Sequence, residues 1–84
     1  MTVLTIYIRH GCHLCEDMLA QIHSYKEKYV FELEIVDIER NSALIQKYGD
    51  KVPVLSGKGV ELCHYFLDAV ALQQYFDTAR NPLE

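Results

Sequence analysis

Two of the three cysteines in this chain, Cys12 and Cys15, are separated by two residues in the stretch "RHGCHLC". A C-x-x-C pair of this kind serves either as a redox dithiol or as half of a structural zinc site. Structural zinc usually requires a second pair at similar spacing, which this sequence lacks. The remaining candidate metal ligands are His10, His13, Cys63 and His64. The pair alone therefore leaves both redox chemistry and metal binding open.

The elements around the pair favour redox chemistry. The segment from Thr2 to Ile8 is apolar and β-branched, which predicts a strand buried on both faces. From Cys12 onward, apolar residues recur at helical spacing as far as Tyr29, which predicts an amphipathic helix. Cys12 is expected at the helix N-terminus, where free N–H groups and the helix dipole stabilise a thiolate, and Cys15 on the buried face. We therefore predict that Cys12 is the exposed attacking thiol and Cys15 the covered resolving thiol.

The remaining segments alternate strand and helix patterns. The stretch "VFELEIVDI" predicts a second strand, and Asn41 or Ser42 caps a short helix that Gly49 ends in a left-handed conformation. The turn "SGKG" joins "VPVL" to "VELCHY" as an antiparallel hairpin. Asp68 caps a last helix, which Pro82 ends. The predicted order is therefore strand, helix, strand, short helix, two strands, helix.

This order of elements predicts an α/β fold of the thioredoxin type. A right-handed strand–helix–strand crossover makes the first two strands parallel, and the hairpin adds two antiparallel strands. The expected result is a four-stranded mixed sheet, in the order 2-1-3-4, with helices on both faces. Residues 1–82 are predicted to form a single domain because so short a chain has room for one core. Leu83 and Glu84 are interpreted as residues left by an expression vector.

Composition narrows the classes of partner. The net charge is −4 and the lysines and arginines are scattered, which argues against nucleic-acid binding. No segment approaches the roughly 20 apolar residues of a membrane helix. The opening segment lacks the features of an export signal, and an odd number of cysteines does not suit a fully paired secreted framework. A cytoplasmic protein, expected to be monomeric, is the resulting prediction.

The stretch "KVPVL" carries the second candidate site. In the predicted sheet, the Val52–Pro53 bond faces Cys12, although a proline at a strand start is ordinarily preceded by a trans bond. A cis bond at this position leaves the Val52 backbone free to pair with an extended substrate. It also places no metal-ligating side chain opposite the cysteines. Val52 and Pro53 are therefore predicted to contact substrate.

Together, "YIRHGCHLC", "KVPVL", the hairpin and the final helix resemble a glutaredoxin of the thioredoxin superfamily. The pattern "VPVL…G…L" leading to Phe66 and Asp68 is similar, more narrowly, to small bacterial glutaredoxin-like proteins of mostly undetermined role. The resemblance implies that Cys12 is the nucleophile, Cys15 the resolving thiol and Pro53 a cis-proline. It further implies that the basic residue three positions before the first cysteine, Arg9, favours the thiolate or meets a glutathione carboxylate.

The sequence also departs from the glutaredoxin pattern. His13 and Leu14 replace the usual Pro-Tyr between the cysteines, and His13 is predicted to face substrate. The Gly-Gly and Cys-Asp-Asp elements that hold the glutamyl end of glutathione have no clear counterpart in "GVELCHYFLDAV". Whether glutathione binds therefore stays open.

The leading hypothesis from the sequence is a thiol–disulfide oxidoreductase that acts on protein or glutathione disulfides. It needs no resident cofactor or metal, and glutathione is the candidate co-substrate. Two alternatives stand beside it. One is a module that holds zinc or an iron–sulfur cluster, and the other is a non-catalytic binding protein of thioredoxin fold.

Overall fold

The computed structural model describes residues 2–80. Its elements, in chain order, are β1 (Val3–Ile8), α1 (His13–Tyr25), β2 (Glu32–Asp37), a 3₁₀ turn (Ile38–Arg40), α2 (Ser42–Tyr48), β3 (Val54–Gly57), β4 (Val60–His64) and α3 (Ala69–Arg80). The predicted helix end at Pro82 and the interpretation of Leu83 and Glu84 lie outside the described residues. Within residues 2–80, no helix is both long and apolar enough to cross a membrane.

The four strands form one mixed sheet in the order β2-β1-β3-β4, which confirms the predicted topology. β1 pairs in parallel with β2 and antiparallel with β3, and β3 pairs antiparallel with β4. The C-terminal ends of β1, β2 and β4 and the start of β3 therefore meet at one edge of the sheet. The segments that follow β1 and precede β3 both contain predicted site residues.

Each face of the sheet has its own apolar cluster. On one face, residues of β1 pack against α1 and α3, with Leu4, Ile6, Met18, Ile22, Leu72 and Phe76 fully or almost fully buried. On the other face, α2 and the 3₁₀ turn contribute Tyr48 and Ile38, which pack around Val54. Both faces of the central strands are thus covered, as a continuous apolar β1 requires.

Two local predictions differ from the structure. Gly49 has φ −51° and ψ −39°, so α2 ends without a left-handed residue. The chain instead keeps turning in the same sense, with the N–H groups of Lys51 and Val52 both donating to the Tyr48 carbonyl. Helix α1 ends at Tyr25, before Tyr29, although Tyr29 still stacks on Phe76 with a ring separation of 4.2 Å.

The hairpin turn is tighter than the "SGKG" pattern indicates. Ser56 and Gly57 belong to β3, and the chain reverses at Lys58 and Gly59, which have φ 52° and φ 78°. Positive φ at both central residues matches the right-handed twist of the two strands, which is why glycine occupies the second position.

Candidate functional site

The cysteine pair lies at the start of α1, directly after the loop that leaves β1. Gly11 has φ 75°, a conformation that suits glycine and lets the chain turn from strand into helix. Cys12 is the N-cap residue, with extended φ −101° and ψ 109°, and the Cys15 N–H donates to its Sγ at 3.0 Å. The sulfur thus takes the place that a side-chain oxygen has in an ordinary N-cap.

Cys12 and Cys15 are joined by a disulfide, with their Cα atoms 5.2 Å apart. Cys12 is partly exposed, whereas Cys15 is only 2% exposed and packs on the buried face of α1. His13, the first residue of α1, is exposed beside them. The arrangement gives one sulfur access to solvent and covers the other.

The Val52–Pro53 segment lies at the same edge of the sheet. Val54, the first residue of β3, pairs with Tyr7 near the end of β1, so Pro53 lies beside the strand end that leads to Cys12. The Val52–Pro53 peptide bond is cis. The Val52 N–H, however, donates to the Tyr48 carbonyl at 3.2 Å, so this part of the backbone already has a partner.

Arg9 follows β1 and reaches across to the ends of β2 and α2. Its Nε lies 3.4 Å from Glu39 Oε2, and its Nη1 donates to the Gly49 carbonyl at 3.4 Å. Both side chains of the ion pair are partly exposed, and such pairs contribute about 0.2–1 kcal/mol. The guanidinium therefore has competing partners that the sequence did not reveal, since Glu39 is thirty positions away.

A charged cluster stands next to the cis-proline segment. Lys51 Nζ lies 2.8 Å from Glu61 Oε1, and His64 Nδ1 lies 2.7 Å from Glu61 Oε2. The hydrogen bond from Lys51, followed by that from His64, lowers the pKa of Glu61 despite some opposing desolvation. This cluster connects the end of α2 to β4.

The third cysteine is separate from the pair. Cys63 is buried in β4 opposite Leu55, and burial raises the pKa of its thiol. It packs in the apolar cluster with α1 and α3, in the manner of a small hydrophobic residue. Among residues 2–80, no group of three or more histidine, cysteine, aspartate or glutamate side chains is arranged to hold a metal ion.

Comparison with known proteins adds to this geometry. The model of the family described as "Glutaredoxin-like domain (DUF836)" matches residues 3–77, which include the cysteine pair and the cis-proline. The chain belongs to this glutaredoxin-like family. The search of curated proteins returned no match.

Solved structures of similar proteins agree with the glutaredoxin-like assignment. The solution structure of protein Ne2328 from Nitrosomonas europaea is 44% identical, with a TM-score of 0.82 over 89% of this chain and 91% of that one. The X-ray structure of protein XcR50 from X. campestris is 36% identical, with a TM-score of 0.65 over 89% and 96% of the two chains. The thioredoxin-like fold is thereby established.

One part of this glutaredoxin-like site could not be found from the sequence pattern. Tyr65 follows β4 with φ 64°, a left-handed conformation that is unusual for tyrosine. Its N–H donates to the Pro53 carbonyl at 2.9 Å, and its hydroxyl donates to the Asp50 carbonyl. These bonds attach the loop after β4 to the cis-proline segment. No short sequence signal marks a non-glycine residue with positive φ.

Proposed function

We propose that this glutaredoxin-like chain is a thiol–disulfide oxidoreductase in which Cys12 and Cys15 cycle between dithiol and disulfide. The observation that carries the proposal is the placement of the pair: Cys12 is partly exposed at the N-cap of α1, and Cys15 is buried one turn along. The family assignment supports it, because the matched region contains both cysteines.

The proposed reaction runs through a mixed disulfide. The Cys12 thiolate attacks one sulfur of a substrate disulfide, a Cys12–substrate bond forms, and the other substrate sulfur leaves as a thiolate that takes up a proton. Cys15, as thiolate, then attacks the Cys12 sulfur and releases the second substrate thiol. The substrate gains two electrons, the protein loses two, and a cellular thiol such as glutathione returns the protein to the dithiol form.

The chain's own residues support the first step in a specific way. The Cys15 N–H donates toward Cys12 Sγ, and a hydrogen bond of this kind is strengthened when the acceptor sulfur carries a negative charge. Because Cys15 is buried, we expect it to react with the mixed disulfide formed at Cys12 and not with a free substrate disulfide. Substrate access therefore selects Cys12 as the point of attack.

Arg9, His13, Val52 and Pro53 are proposed to contact the substrate. Because the Val52 N–H is already bonded to Tyr48, we expect the Val52 carbonyl to be the group that accepts a hydrogen bond from an extended substrate. Arg9 is the proposed partner of a substrate carboxylate, for which Glu39 competes. Cytoplasmic location and action as a monomer are part of the same proposal.

The test is a disulfide-reduction assay with insulin or hydroxyethyl disulfide and glutathione as reductant. Cys12→Ser is expected to abolish turnover, because no thiolate remains to attack. Cys15→Ser should retain only reactions that end at a mixed disulfide. Cys63→Ala is the matched control, since it removes the one cysteine outside the pair and should leave turnover intact. Equal activity of Cys12→Ser and wild-type protein would exclude the mechanism.

A further inference from the structure

A surface groove of about 390 Å³ lies between α1 and the loop that joins β4 to α3. We call it the Phe66 groove. Its lining includes Leu14, Asp17, Tyr65, Phe66 and Leu67. Leu14 stands between the two cysteines in sequence, so the lining of the groove includes a residue of the C-x-x-C segment. It is a separate feature from the cysteine pair and from the Val52–Pro53 segment.

Two aromatic side chains that line the groove are exposed to solvent. The Phe66 side chain is 69% exposed, and Tyr65 beside it is 40% exposed, although both are large. Leu14 and Leu67 are only partly covered. Large aromatic side chains that are left in water gain free energy when a partner covers them. The apolar lining therefore favours an occupant with an apolar side chain.

The loop that carries Phe66 is held in place before any partner arrives. Tyr65 adopts a left-handed backbone, and its N–H and hydroxyl bond to the carbonyls of Pro53 and Asp50. The Phe66 N–H donates to the His64 carbonyl at 2.7 Å. A loop fixed in this way loses little conformational entropy on binding, so more of the contact energy appears as affinity.

The charge around the groove indicates a second property of the occupant. Asp17 lines the groove, Glu16 precedes it on the exposed side of α1, and Asp68 follows Leu67. Within the described residues that line the groove, there is no lysine or arginine. An acidic rim of this kind attracts a basic segment and repels an acidic one.

We propose that the Phe66 groove binds the polypeptide next to the substrate disulfide, and that it selects an apolar side chain accompanied by a lysine or arginine. The inference rests on the proposed function and names its substrate class: basic, apolar protein disulfides rather than small acidic ones. In this arrangement Phe66 and Leu14 contact the apolar side chain, and Asp17 pairs with the basic one. The disulfide beyond them meets Cys12.

The test compares two short synthetic peptides whose central cysteine is in a mixed disulfide with 5-thio-2-nitrobenzoate, which absorbs visible light when released. One peptide carries leucine and lysine beside the cysteine, and the other carries serine and glutamate. Hydroxyethyl disulfide, which has no charge and little apolar surface, is the reference substrate. The measured quantity is kcat/KM for each peptide divided by kcat/KM for the reference.

Wild-type protein is expected to favour the leucine–lysine peptide, and Phe66→Ala to reduce that relative kcat/KM about tenfold, as for a central aromatic contact. Val70→Ala is the matched control, because Val70 is 66% exposed on α3 outside the groove and should change nothing. Asp17→Asn should weaken the preference about two- to threefold and reduce its salt dependence, whereas the equally exposed Glu27→Gln should not.

The outcomes separate the two proposals. Turnover of hydroxyethyl disulfide with no preference between the peptides, or equal losses in Phe66→Ala and Val70→Ala, would overturn the groove proposal and leave the oxidoreductase proposal standing. Failure to reduce any of the three substrates would overturn the oxidoreductase proposal and the groove proposal with it. Circular dichroism of each variant distinguishes a lost contact from a lost fold.

Discussion

Gly57 in β3 is predicted to be intolerant of any side chain, because the Tyr75 ring occupies the space where a Cβ would lie. An added Cβ would come within 3.0 Å of three side-chain atoms of Tyr75: Cζ, Cε1 and the hydroxyl oxygen. That hydroxyl donates to the Val3 carbonyl at 2.9 Å, which ties α3 to β1. Gly57→Ala must therefore displace Tyr75 and disturb a bond between the two ends of the chain.

The cost follows from three contributions. Overpacking of this kind costs about 1–3 kcal/mol, and loss of the Tyr75–Val3 hydrogen bond costs about 0.5–1.5 kcal/mol. Removing a glycine from a strand returns about 0.5–1 kcal/mol. We expect Gly57→Ala to lower the free energy of unfolding by about 2 kcal/mol, which for a domain of this size corresponds to a fall in Tm of roughly 8–16 °C.

The measurement is urea denaturation followed by circular dichroism, with Gly57→Ala made in the wild-type and in a Tyr75→Leu background. If the Tyr75 ring is the obstacle, the cost of Gly57→Ala should be smaller in the Tyr75→Leu background by more than about 0.5 kcal/mol, which is the limit of additivity for independent sites. Gly59→Ala is the control: at φ 78° it is strained, but nothing lies within 4 Å, so its cost should be equal in both backgrounds. An equal cost of Gly57→Ala in both backgrounds would refute the predicted clash between the added Cβ and the Tyr75 ring.

Two further predictions concern burial and capping. In the disulfide form, the free energy of unfolding should decline above about pH 9, because burial raises the pKa of Cys63 and the Cys63 thiol therefore loses its proton first in the unfolded chain. Cys63→Ala should reduce the decline of the urea midpoint with pH. An unchanged decline in Cys63→Ala would contradict this prediction. Asn41→Ala should lower the free energy of unfolding by about 1 kcal/mol, since Asn41 Oδ1 accepts from Ala43 and Leu44, whereas the neighbouring Ser42→Ala should be nearly neutral.

Much of the fold follows from local sequence patterns. The apolar β1, the helical spacing from Cys12 and the caps at Asn41 and Asp68 are all local signals, and the right-handed crossover converts them into a sheet order. The Asp68 carboxylate does accept from the Ala71 N–H at 3.1 Å. Such features could be predicted because each depends on residues within one or two turns of one another.

The incorrect or missing details depend on longer-range geometry. Ile35 belongs to an alternating apolar pattern, yet it is 52% exposed because β2 is the outermost strand on one side of the sheet. The alternation of apolar residues does not indicate whether a helix covers an outermost strand. The position of Gly49 after α2 predicts a left-handed residue. In the structure the Tyr48 carbonyl accepts hydrogen bonds from the N–H groups of Lys51 and Val52, and the backbone keeps its right-handed turn through Gly49. Neither outcome depends on the neighbouring residues alone.

The candidate site shows the same division between local and long-range information. The sequence predicts Cys12 at the start of the helix and Cys15 on its buried face, and Cys15 is 2% exposed. The Arg9–Glu39 ion pair and the Tyr65 contacts join segments that approach one another only because several strands end at one edge. Side-chain partners that meet where several strands end cannot be deduced from the spacing of residues in the sequence.

Tyr65 is where the local rules fail most clearly, and the failure has a physical reason. A tyrosine with positive φ is disfavoured by its own backbone, so the surrounding structure must hold it there. The Pro53 and Asp50 carbonyls do so, and both belong to the segment between α2 and β3. This locally unfavourable conformation is maintained in a loop that leaves Phe66 in water and that lines the same groove as Leu14, which stands between the two cysteines in sequence. Stability alone gives no reason for that arrangement, whereas a substrate that covers Phe66 while its disulfide meets Cys12 does.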